Sequence, residues 1–221
     1  MAVTPTSIVT PQRPWAATAV ATTANTTYTD TPTNSVLLTR QDLLPAGPFT
    51  TANGTPTVTV SHPDHGLFTG MQVTISGSAA VGGITPSGAY TITVTSADAY
   101  TITHGSNATS TATGGGTAVL AQLARTSVNG VRITRLTALA RATNTATECQ
   151  LYVSNDGGTT KRFIKSVLLG AYTVAGSTAQ TGADFGYSDS SPLILAASET
   201  LYVGIGVTNT GIVFRAEGFG Y

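Results

Sequence analysis

From Ser35 onward apolar residues recur at every second position, with Thr or Ser filling the gaps. That spacing is the period of a half-buried β-strand, not of a helix. It predicts a short strand at "SVLLT" and then a compact series carrying Val58 and Val60, Val73 and Ile75, Ile92 and Val94, and Tyr100 and Ile102. The stretch "AYTIT" occurs twice, at Ala89–Thr93 and Ala99–Thr103, which predicts a hairpin with matching faces around Ser96-Ala97-Asp98. Further strands are expected at "GVRITRLTALARA", "ECQLYVS" and "RFIKSVLLGAYTV", with a hairpin turn at Asn155-Asp156-Gly157-Gly158. Three more belong to the C-terminal stretch, where Leu201, Val203, Ile205 and Val207 share a face. In "VRITRLTALA" the alternation slips between Ile133 and Leu136, so a β-bulge or a changed register is expected there.

The breaks in the pattern give the organisation. Residues 1–34 hold few apolar anchors, and Pro5, Pro11, Pro14 and Pro32 disfavour helix and central strand alike, so the segment reads as a disordered tail or as an extended N-terminal arm whose lone Trp15 docks into a partner, and the arm is the expectation taken forward. "QDLLPAGPFTTANGTP" reads as a linker, with Asn53-Gly54 as a turn pair, and "TATGGGTA" as a flexible hinge. "SVLLTR" is too short to fold alone, and the sequence after Gly116, "AVLAQLARTSVNGVRITR", reads as its returning partner. The expected architecture is all-β. A jelly-roll-like β-sandwich is built from 35–46 and 117–221, and a small β-barrel-like domain, 47–116, is inserted in one of its loops.

Composition sharpens this picture. Charged residues are 9% of the 221, against about 25% in an ordinary soluble domain, and ten Lys plus Arg balance ten Asp plus Glu. A neutral, charge-poor chain offers no electrostatic footprint for nucleic acid or an anionic membrane. Its hydroxyl-rich exterior costs little to desolvate against another subunit, so self-association or coverage by neighbours is expected. No apolar run approaches the roughly 20 residues that span a bilayer. The start, "MAVTPTSIVTPQRPW", has no basic n-region followed by an apolar core, so a soluble protein made without a secretory signal is expected. Cys149 is the lone cysteine and sits between alternating apolar residues, the place of a buried, inert thiol.

The candidate chemistry is concentrated in His62-Pro63-Asp64-His65. A zinc site needs three or four converging ligands. Pro63 constrains the backbone between the histidines, Gly66, Gly70 and Gly77 follow as turn residues, and His104 stands apart, so the stretch reads as a structural turn. "GGG" at 114–116 lacks the Lys-Ser or Lys-Thr of a phosphate loop, and no serine stands in a G-x-S-x-G elbow. Asp184 and Asp189 flank "FGYS" as a conceivable glycosidase pair, but no Trp stands near to stack a sugar, and the default is a solvated loop. Arg132, Arg135, Arg141, Lys161, Arg162 and Lys165 collect in the second β region as an exposed face or an acidic partner's docking face. No catalytic, cofactor-binding or metal-binding residue is assigned.

Two resemblances add function to this reading. "VTVSHPDHGLFTGMQVTISGSAAVGGI…AYTITVTSADAYTIT", about residues 56–116, resembles a small β-module of tailed-phage virion proteins. That module is similar in turn to the first catalytic-cysteine half-domain of ubiquitin-activating enzymes, and no activity goes with its His-Gly stretch. "ANTTYTDTPTNSVLLT", "NGVRITRLTALARAT", "LYVSNDGGTTKRFI", "ADFGYSDSSPLILAASETLYVGIGV" and "FRAEGFGY" resemble capsid decoration or head-fibre subunits of tailed phages. The resemblance implies a virion protein on the capsid exterior, made in the host cytoplasm. It binds and stabilises the shell of the major capsid protein as a homotrimer, with no enzymatic activity, no cofactor and no nucleic-acid or membrane partner. The arm would supply the capsid contacts, with Arg13, Trp15 and Tyr28 as candidates, and the inserted domain would be free for host-surface contact. The alternative is a tail, baseplate or fibre component adhering to host glycans through Tyr90, Tyr100, Tyr172 or Tyr187.

Overall fold

A computed structural model describes residues 13–123, 130–177, 179–196 and 199–220. Their regular structure is entirely β: β1 Arg13–Ala21, β2 Val36–Leu37, β3 Thr39–Leu43, β4 Phe49–Thr51, β5 Thr57–Ser61, β6 Gln72–Ser76, β7 Gly88–Thr91, β8 Thr93–Ser96, β9 Ala99–Thr103, β10 Ala112–Gly114, β11 Leu120–Leu123, β12 Val131–Ala140, β13 Thr147–Ser154, β14 Arg162–Leu169, β15 Gly182–Asp184, β16 Leu193–Leu195, β17 Thr200–Ile205 and β18 Ile212–Gly220. Among the described residues these make three antiparallel sheets and no closed barrel. A nine-stranded sheet runs β15-β12-β18-β1-β3-β11-β6-β7, with β16 also on β12. A five-stranded sheet runs β10-β4-β5-β9-β8, and a four-stranded one β14-β13-β17-β2.

The long sheet carries both smaller sheets on one face. Residues opposite each other on paired strands point to the same side. Ala17 faces Arg40, Arg40 faces Leu123 and Leu123 faces Val73, so the inward side can be followed across the sheet. At the β12–β1 end that side is packed against the four-stranded sheet around Phe185, Phe214, Leu136, Leu151 and Val203. At the β11–β6 end it is packed against the five-stranded sheet around Phe49, Tyr100, Ile75 and Ile102. Two hydrophobic cores therefore share one sheet, and Arg40 and Asp42 of β3 lie on the inward face at the seam between them.

The alternation of β12 slips where the sequence shows it: the register against β18 shifts between Ile133 and Arg135, a bulge at Thr134. β11 returns onto β3, Leu120 opposite Leu43 through Leu123 opposite Arg40. The hairpin β13–β14 turns at Asn155–Gly158.

Five expectations are corrected. Residues 13–21 are not part of an arm: β1 pairs along its whole length with β18 and touches β3. Among the described residues the start of β1 is paired on one side only, as on an edge strand, which accommodates Pro14. Residues 24–34 are a strap over the outer face of the four-stranded sheet, where Gln150 Nε2 donates to Asn25 O at 3.0 Å, Asn34 Nδ2 to Ala24 O at 2.7 Å and Lys161 N to Asp30 O at 2.6 Å. The hairpin around Ser96-Ala97-Asp98 is present, but its first strand is β8 and not the first "AYTIT", since β7 leaves to pair with β6. The expected linker holds the end of β3 and all of β4. The glycine run is no hinge, since Gly114 pairs with Phe49 and Gly115, at φ +100°, packs so closely that a Cβ would stand 2.3 Å from the Phe49 ring. The inserted barrel is open, its core enclosed between the five-stranded sheet and the end of the long one.

Candidate functional site

The His62–His65 turn packs onto the inward face of β3 at the seam. Asp64 takes φ +50°, a left-handed conformation Asp tolerates, and its N–H donates to Asp98 Oδ1 at 2.8 Å. This reversal buries both histidines, His62 at 4% and His65 at 1% exposure. His65 Nδ1 accepts the Leu67 N–H at 2.8 Å, so the ring proton sits on Nε2, which donates to Ser96 O at 3.1 Å. His65 thereby ties its own turn to the end of β8.

His62 Nε2 meets Asp42 Oδ2 at 3.0 Å. The same carboxylate is gripped by Arg40, Nε to Oδ1 at 2.7 Å and Nη2 to Oδ2 at 2.6 Å, while Arg40 Nη1 donates to His65 O at 3.3 Å. Burial alone would raise the Asp42 pKa, but the hydrogen bonds from His62 and Arg40 and their charges outweigh it and hold the carboxyl below its usual 3.8. Tyr100 closes the cluster, its ring set edge-on to both imidazoles, and burial together with the Asp42 charge pushes its phenol above the ordinary range. Among the described residues His62 Nδ1 and the Tyr100 hydroxyl are buried without a hydrogen-bond partner.

This arrangement is a latch. Both histidine rings are enclosed, one carboxylate is saturated by a bidentate guanidinium and an imidazole, and among the described residues no group of three or more His, Cys, Asp and Glu converges to hold a metal ion. The turn expected from Pro63 and the glycines is present at 63–64. Asp42 and Arg40 were not foreseen, although their i, i+2 spacing in "TRQDL" places them on one face of a strand.

The other candidates separate. Arg13 and Trp15 lie in β1 with Cα atoms opposite Gly220 and Gly218, inside the sheet, and their side chains fall outside the described residues. Tyr28, in the strap, is 51% exposed with its ring 4.7 Å from Phe163. Of the tyrosines considered as sugar platforms, Tyr100 is buried, Tyr90 donates to Ser87 O at 2.9 Å, Tyr187 packs on the core with Lys165 above its ring, and Tyr172 is half-buried. The Asp184 carboxylate accepts the Gly186 N–H, and Asp189 gives its backbone carbonyl to Arg132. The six cations do not form one face: Arg132 and Arg135 lie on the outer side of β12, Lys161 sits over the Tyr202 ring, and Lys165 donates to Phe185 O. Cys149 is fully buried, and burial, with a smaller contribution from Glu148, pushes its thiol up to about 12.

What remains open is the outer face of the long sheet. Its exposed side over β1, β3, β11, β6 and β7 presents Ala16, Thr18, Val20, Thr39, Gln41, Leu43, Leu120, Gln122, Gln72, Thr74, Ser76, Ala89 and Thr91, none of them ionic. Val20 and Leu43 there are 48% and 66% exposed.

No family model matches the chain, and no curated protein matches it. Among solved structures it is similar to the phage phi92 endosialidase, at 27% identity and a TM-score of 0.32. The overlap covers 41% of this chain and 15% of that one, so the chain spans a small part of the protein it matches.

Proposed function

We propose that this chain is a structural virion protein of a tailed phage, a capsid decoration protein that binds the major capsid protein and stabilises the shell. One observation carries the reading: a five-strand-wide sheet face without a single ionic side chain among the described residues, on the side opposite both cores. Desolvating such a face against a protein surface forfeits no ion hydration, so that penalty of docking does not arise. The residues that resemble head proteins of tailed phages lie largely in the sandwich that bears part of this face. Binding the assembled shell and not its free subunits would stabilise the particle by mass action. Self-association as a trimer and projection of residues 47–116 toward the host surface belong to the same proposal.

Host-glycan adhesion is the less favoured reading, because the four tyrosines considered as stacking platforms are buried, packed on the core or partly covered. The test adds purified protein to capsids that lack it and images the particles by electron microscopy. Ordered copies on the capsid, with a raised capsid melting temperature, are expected. Copies on the tail, or binding to host cells with none to capsids, would overturn the proposal.

A further inference from the structure

The outer face of the four-stranded sheet carries a row of large side chains, one from each strand. Phe163 of β14 stands opposite Tyr152 of β13, Tyr152 opposite Tyr202 of β17, and Tyr202 opposite Leu37 of β2. Residues opposite one another point to the same side, and Leu151, Val153, Leu201 and Val203 fill the core, so the row faces away from it. One end is covered: Tyr152 is buried with the Phe163 ring 5.6 Å away, and Tyr28 of the strap lies beside Phe163. At the other end Tyr202 and Leu37 are half-buried and line a cavity of about 450 Å³. Thr200 and Gly157 belong to the same wall, and Gly70, Met71, Gln72 and Thr91, from the β6–β7 margin of the long sheet, form the facing one.

Tyr202 is held in place by the protein itself. Lys161 Nζ stands 5.0 Å from its ring centre and is engaged by Pro32 O at 3.5 Å. Gly158, at φ +95°, lies so close to the hydroxyl that a Cβ there would stand 2.2 Å from it. Thr200 Oγ1 donates to Ser154 O at 3.3 Å, which leaves that oxygen to accept. The wall residues named are uncharged: a phenol, two hydroxyls and a primary amide beside Leu37 and Met71. The volume lies within the range of small-molecule sites, roughly 300–1,000 Å³. An ion entering here would give up hydration without gaining an opposite charge from these residues. A polyol exchanges its water for the phenol, hydroxyl and amide groups, and lays its C–H face on the ring. We propose that this cavity binds a neutral saccharide, with Tyr202 as its platform. The four tyrosines weighed above as sugar platforms are covered, and this fifth one supplies what they do not. The inference needs neither capsid docking nor a trimer.

The test presents the full chain to an array of neutral and anionic oligosaccharides, then titrates it by NMR with the neutral glycan that binds best. Binding to neutral glycans is expected, with amide shifts at Gly70, Met71 and Gln72 on one wall and at Gly157 and Gly158 on the other. Tyr202→Phe, which keeps the ring, is expected to weaken binding about threefold to tenfold at unchanged melting temperature, the effect of one lost hydrogen bond. An array on which no neutral glycan binds, or on which anionic glycans bind in preference, would overturn the proposal. So would shifts confined to other amides, or a Tyr202→Phe affinity equal to that of the wild type. Because capsid docking is read on particles and sugar binding on the free protein, either can fail alone.

Discussion

At the scale of single residues the His62–Asp42–Arg40 latch governs how the seam responds to acid. Asp42 has a folded-state pKa below its value in the unfolded chain, so the folded state binds fewer protons and its contribution is present above the unfolded pKa. That contribution is lost as pH falls through the depressed value, hence below about 4. Denaturant titrations at pH 3 and pH 6 should show the wild type losing more stability in acid than Asp42→Asn does. At pH 7 Asp42→Ala, which strands Arg40 and His62 beside each other, is expected to cost about 2–3 kcal/mol, discounted from a fully buried pair because Asp42 keeps 19% of its side-chain surface. Equal acid sensitivity in both proteins would remove Asp42 from the account. Cys149, with its thiol pushed up to about 12, is expected to resist alkylation at pH 8 until denaturant is added. The turn around the two histidines was legible because proline and glycine act locally. Its partners Arg40 and Asp42 were not, since nothing in "TRQDL" says which distant turn will settle on that face.

Elements were legible where period and register agree. The slip in "VRITRLTALA" marks the bulge at Thr134, because a strand with both flanks in one core must absorb an extra residue there. Removing Thr134 leaves Val131, Arg132, Ile133, Arg135 and Leu136 in strict alternation, with Ile133 and Leu136 still on the core side. Its deletion is therefore expected to cost less than about 1 kcal/mol, while deletion of Leu136 keeps the alternation only by turning Arg135 into the core and unfolds the domain. Thermal unfolding of the two deletants decides this, and comparable losses would show that the twist of the bulge, not the alternation, holds β12. β1 and the strap escaped the reading because "RPWAATAVA" holds alanines where core residues are usually larger. Ala17, Ala19 and Ala21 are buried all the same, and the large partners Phe214 and Leu136 supply the volume. A proline within such a stretch weighs against a central strand only if its missing N–H faces a neighbour, a fact of pairing and not of sequence.

For the whole molecule, the scarcity of charge reads differently once the faces are known. Composition gives an average of 9% ionic residues, whereas among the described residues on one side of the long sheet the figure over five strands is zero. The charges that exist are spent elsewhere: Asp42 and Arg40 at the seam, Arg215 with Glu217 on β18, Asp156 capping its own turn. A face kept free of ions beside strands that carry them is a surface shaped by what it touches, and the way to ask is to charge it. Thr18 and Gln122 point outward from β1 and β11 without a core contact, so Thr18→Glu with Gln122→Glu is expected to change stability by no more than about 0.5 kcal/mol. If the face docks on the shell, the carboxylate at 122, whose cross-strand neighbours Gln41 and Thr74 carry no charge, must be desolvated there without a partner, and capsid occupancy should fall at least tenfold, for about 1.4 kcal/mol or more of lost binding energy. The effect should persist at high salt, because the penalty is desolvation and not long-range repulsion. Undiminished occupancy with the double variant would mean that the capsid meets another side of the molecule, and that the ion-free face serves neighbouring copies instead.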